Sequence, residues 1–161
     1  MRQLLIVSLV VAAPAMAGEV TMRNCNEAVE NQWSTFRRVP VEGELLRIKN
    51  QYKYDPAVAI GDFDGDSKKD YAFLLEQRGS KGTKAIAVCL SSKGVKVPVL
   101  ITNLYVDGTI HVTAKGTEYY DFEARKEGKY KTDGITISCC ECCGATYIYA
   151  NGQFEQIIDG D

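Results

Sequence analysis

Apolar residues in this chain come in short runs separated by turn residues, which is the spacing of β-strands. Strands are predicted over 44–49, 57–61, 71–76, 84–90, 97–102, 109–114, 134–138, 145–150 and 153–158. Asn151-Gly152, between Tyr147-Ile-Tyr-Ala and Gln153-Phe-Glu-Gln-Ile-Ile, is the signature of a two-residue hairpin whose central residues need positive φ. Helical spacing occurs once, over 24–38, where Ala28, Val29, Trp33 and Phe36 recur on one side. Asn24 or Asn26 can cap that helix, Glu27 and Glu30 suit its positive end, and Pro40 ends it. Trp33 reads as a core anchor. Residues 119–133 are polar and charged, and read as a long exposed connection. The pattern predicts a mainly β protein: a small antiparallel sandwich or an incomplete propeller-like β domain with one N-terminal helix.

The N-terminus changes what the rest of the composition means. Met1-Arg2 is a short basic start, residues 4–13 are apolar, and Ala15-Met16-Ala17 is a small-x-small cleavage site. That is the layout of a secretory signal peptide over 1–17, followed by a single domain over 18–161. The apolar run is far short of the roughly 20 residues that cross a bilayer. A periplasmic or secreted location without a membrane anchor is expected. With 19 Lys+Arg against 21 Asp+Glu and a net charge of −2, the chain has no basic excess to attract nucleic acid or anionic lipid.

The chemistry concentrates between residues 57 and 75. Asp62, Asp64, Asp66 and Asp70 occupy positions 1, 3, 5 and 9 of a tight loop between two strand-type runs. Carboxylates held that close repel one another unless a cation lies between them. Calcium suits such a set because it takes six to eight oxygen ligands in a flexible geometry, and the Lys68 carbonyl at position 7 would add another. An EF-hand would need a Glu at position 12 and flanking helices, but position 12 is Phe73 and the flanks read as strands. A metal-free, Asp-rich hairpin turn is the plainer alternative.

Gly61-Asp62-Phe63-Asp64-Gly65-Asp66, with Asp70, resembles the calcium loop of the FG-GAP (VCBS, integrin-like) repeat family, in which the loop joins two strands. The resemblance implies Ca2+ held by Asp62, Asp64, Asp66, Lys68 and Asp70. It also implies propeller-type sheets, although nine short strands make only about two blades of four. Two positions depart from the family pattern. Ser67 stands where the family has a second loop Gly, and Glu76-Gln77-Arg78 replaces the Gly-Ala-Pro after the second strand.

Outside this loop the candidate chemistry is sparse. Six cysteines, Cys25, Cys89, Cys139, Cys140, Cys142 and Cys143, form an even set that in an exported protein reads as disulfides. Cys25 and Cys89 are expected to be tied to each other or into the Cys139–Cys143 cluster. The two overlapping C-x-x-C pairs of that cluster keep a thiol-rich metal-binding protein open as an alternative. His111 is the only histidine, with nothing beside it to make a catalytic set. No catalytic motif is visible, so the expectation is a protein that acts by binding, with a hydrolase of unrecognised site as the remaining alternative. The loop 77–83 protrudes from the calcium hairpin, and Arg78, Ser80 and Lys81 are its candidate partner-binding residues. By analogy with compact exported inhibitors and immunity proteins, the expected partner is another protein, with a cell-wall hydrolase as the leading candidate.

Overall fold

A computed structural model describes residues 19–80, 82–94, 97–102, 104, 108–139 and 143–158. The expected signal peptide, Lys81, and the thiols of Cys139, Cys140, Cys142 and Cys143 lie outside the described residues.

The run Asp70-Tyr-Ala-Phe-Leu-Leu-Glu-Gln77 makes the central strand because nearly every one of its side chains finds an apolar neighbour. This strand, β3 (Asp70–Gln77), pairs on one edge with β4 (Lys84–Cys89). Its other edge is shared end to end by β1 (Phe36–Arg38) and β2 (Val58–Gly61). β5 (Val99–Ile101) pairs with β4 and completes an antiparallel five-stranded sheet. A second antiparallel sheet has the order β11-β10-β9-β6, from β6 (Thr109–Thr113), β9 (Gly134–Cys139), β10 (Cys143–Ala150) and β11 (Gln153–Ile157). Asn151 and Gly152 join β10 to β11 at φ 52° and 85°, the positive pair that the dipeptide predicts.

Alternation along β3 sorts the core into two layers. Ala72 and Leu74, with Ile86 and Val88, face Ile110, Ile135, Ile137 and Tyr147 of the second sheet in one buried hydrophobic cluster. Phe73 and Leu75, with Ala85, Ala87 and Cys89, face the opposite way. There they meet Cys25 and Val29 of the helix α1 (Met22–Gln32). The Cys25–Cys89 disulfide then fastens α1 to β4 across 64 residues of sequence. Trp33 is half-buried and packs on this second cluster, as an anchor should.

The mainly β, antiparallel prediction holds, but three local expectations do not. The helix is shorter and begins earlier than 24–38. Thr21 caps it in a reciprocal capping box with Asn24, and Phe36 instead enters β1, where it pairs with Gln77 of β3 and packs on the outer cluster. Residues 44–49 are not a strand: they belong to a second helix, α2 (Gly43–Tyr52). Leu45 and Ile48, three apart, turn inward while Leu46 is exposed, a helical spacing that a six-residue window hides. Glu44 and Arg47 pair at 2.5 Å on its outer face, and Lys53 ends it at φ 61°. The expected connection over 119–133 contains a third, two-stranded sheet of β7 (Glu118–Asp121) and β8 (Lys126–Lys129). The Tyr119 ring lies across Gly128, where any Cβ would meet it at 2.5 Å, and stacks on the buried Tyr130 with centroids 4.6 Å apart.

Candidate metal centre

The β2–β3 hairpin holds its acidic turn through the aspartates' own hydrogen bonds. Asp70, the first residue of β3, is fully buried. Its Oδ2 accepts from the amides of Phe63 (2.7 Å) and Asp64 (3.3 Å), and its Oδ1 accepts from the amide of Ser91 just beyond β4 (2.7 Å). Phe63, also fully buried, points the opposite way into the core and fixes the loop from inside. Gly65 at φ 79° and Ser67 at φ 66° supply the left-handed turns. Ser67, which stands where a glycine would be easiest, is therefore strained. Its amide donates to Asp62 Oδ2 at 3.1 Å.

These constraints bring three carboxylates close together. Oxygens of Asp62, Asp64 and Asp70 all lie within 4.8 Å of one another. Ligands at about 2.3–2.6 Å from a common ion cannot be more than about 5 Å apart, so this spacing fits a shared cation. Asp62 Oδ1 is buried and accepts no hydrogen bond, which is the state of an oxygen made to face an ion. An all-oxygen, multiply anionic set suits a hard cation and not a thiophilic metal.

Asp66 stands apart from this trio. Its Oδ2 accepts from the Ser91 hydroxyl at 2.5 Å and its Oδ1 from the Lys68 amide at 2.8 Å; the Ser91 bond chiefly holds its carboxyl below the usual range. Asp70 moves the other way. Burial raises its pKa to about 6, with a further push from Asp64, against the three amide bonds that favour its charged form.

Three contributors are invisible in the Asp spacing. Ser91 and Ser92 follow β4 and reach back to Asp66 and to Asp64 respectively. Asp133 immediately precedes β9 of the second sheet: its Oδ2 accepts from the Asp62 amide at 3.0 Å and its own amide donates to the Asp62 carbonyl at 3.2 Å. The serines could have been found by noting that the residues after a strand paired to β3 must arrive beside Asp70. Nothing local marks Asp133.

Arg78 and Ser80 of the loop 77–83 are exposed, but both use hydrogen-bonding groups within the protein. Arg78 folds back, its Nε donating to the carbonyls of Ser34 (3.1 Å) and Phe36 (3.3 Å), while the Ser80 and Thr83 hydroxyls share a bond of 3.1 Å. His111 is half-buried on β6, opposite Thr136 in the register. Among the described residues, the Asp62, Asp64 and Asp70 trio is the group of acidic, His or Cys side chains close enough to share a metal.

No family model, curated protein or solved structure matches the chain. The resemblance to the FG-GAP loop therefore rests on the loop's own residues.

Proposed function

We propose that this chain is an exported, disulfide-bonded, calcium-binding β domain of FG-GAP-like type that acts as a protein-binding module. The observation that carries the metal half is the proximity of the Asp62, Asp64 and Asp70 carboxylates, beside which Asp62 also has a buried, unpartnered oxygen. In this reading Asp66 turns from Ser91 to join them and the Lys68 carbonyl completes the protein ligands. The ion neutralises the loop, fixes the β2–β3 hairpin and stabilises the domain by mass action. Calorimetric titration of residues 18–161 with calcium should give a single site. Asp62→Asn, which removes one ligand charge, should weaken it roughly ten-fold or more. A flat titration of the unaltered protein sinks the metal reading.

The partner in this proposal is another protein, a cell-wall hydrolase being the leading candidate. The tip at Ser80 and Lys81 makes the contact, and Arg78 braces it from behind. The cysteine pattern and the N-terminal segment support an oxidising compartment where calcium is plentiful. Loss of hydrolase inhibition in a folded variant altered at Ser80 and Lys81 would support this partner. Unimpaired activity of a panel of muramidases and amidases in the presence of the domain argues against it.

A further inference from the structure

Asp133 sits behind the acidic loop and is used twice. Its Oδ2 accepts from the Asp62 amide at 3.0 Å, and its Oδ1 accepts from the Lys115 amide at 2.9 Å. Its own amide closes the circuit onto the Asp62 carbonyl at 3.2 Å. Contact there is tight: a Cβ on Gly61 would lie 3.0 Å from Asp133 Oδ2, and one on Gly65 would lie 3.1 Å from the Thr132 methyl. Lys115 begins the base of the β7–β8 hairpin. Two further rungs of that base follow directly, Gly116 N–H to the Tyr130 carbonyl (2.8 Å) and Tyr130 N–H to the Thr117 carbonyl (3.1 Å). Beyond them the hairpin presents a concavity of about 500 Å³ lined by Glu118, Tyr120, Glu127 and Lys129, with the exposed Phe122 ring edge-on to Tyr120 at 5.1 Å. The far end of the hairpin is tied separately, Phe122 N–H donating to the Ile158 carbonyl at 3.0 Å.

From this geometry we infer that Asp133 is a positioning residue that transmits ion occupancy of the Asp62–Asp70 loop to the base of the β7–β8 hairpin. The inference rests on the calcium reading above. Asp62 contributes both a converging carboxylate and the backbone groups that Asp133 holds, so an ion that fixes Asp62 fixes Asp133. Its second oxygen then fixes Lys115. Hydrogen-bond networks are one carrier of such coupling, and here the carrier is a single carboxylate, Asp133, that joins the Asp62 amide to the Lys115 amide. The consequence is that calcium governs the order of a surface that the acidic loop does not itself contain.

Amide hydrogen exchange read residue by residue, with calcium and with EGTA, tests this. Calcium should raise protection at Gly116 and Tyr130 about ten-fold more than at Phe122, whose bond lies at the other end of the hairpin. In Asp133→Ala that differential should vanish while calorimetry still shows calcium bound. Asp133→Asn keeps one acceptor and should retain part of the differential, and it serves as the test should the alanine variant not fold. A purely structural Asp133 would lower protection equally with and without calcium, leaving the differential intact; that result overturns the inference. Calcium bound with no differential in the unaltered protein also overturns it while leaving the metal reading standing, whereas no calcium bound removes both.

Discussion

Asp70 shows how one side chain can close a loop and still resist its own charge. Three amides point at it, yet full burial and the neighbouring Asp64 hold its pKa near 6 instead of 3.8. In the metal-free protein its folded pKa is above its unfolded value, so the stability it contributes is complete below about pH 4. That stability is lost as pH rises through about 6. Asp66, whose pKa is lowered, works in the opposite sense and at lower pH. In EGTA the unfolding midpoint should therefore fall between pH 4.5 and pH 7, and Asp70→Asn should flatten that fall. A midpoint that climbs over this interval in EGTA, unchanged by the substitution, contradicts the assignment. Calcium needs the deprotonated carboxylate, so its stabilising effect should grow over the same interval.

At the scale of elements, the disulfide between α1 and β4 does what the layer of apolar contacts around it cannot do alone. α1 buries only Cys25 and Val29 against the sheet, a thin interface for an eleven-residue helix. A bridge spanning 64 residues restricts the unfolded chain by about 4 kcal/mol in the chain-entropy account. Paired Cys25→Ser and Cys89→Ser substitutions should lower unfolding stability by roughly that amount in urea titration. A loss below about 1 kcal/mol would mean that packing alone holds the helix.

The elements also show what could be read from the chain. The acidic loop was legible because its aspartates fall within nine residues of sequence, and three of them, Asp62, Asp64 and Asp70, lie together in the fold. The hairpin at Asn151-Gly152 was legible because its turn chemistry is local. α2 was not, since its inward face is two residues, Leu45 and Ile48, in a segment with no buried side chain. β7 and β8 were hidden by their charge: the hairpin is organised by Tyr119 lying over Gly128, a cross-strand fit that no periodicity records. Asp133 lies 71 residues from the loop it supports and became visible only when the sheets were packed.

For the whole molecule the proposed calcium site matters because the domain is built around the acidic loop. The hairpin carrying the loop includes the central strand β3, which lines both core layers, so occupancy should register in global unfolding. The direct measurement is the thermal midpoint of oxidised residues 18–161 with calcium, with EGTA, and for Asp64→Ala under both conditions. At calcium near a hundred times Kd, linkage supplies roughly 2.7 kcal/mol, a rise of about 5–10 °C. A calcium site in the loop should give that rise in the unaltered protein and lose it in Asp64→Ala. Equal midpoints in calcium and EGTA, or a rise that Asp64→Ala keeps, would contradict it.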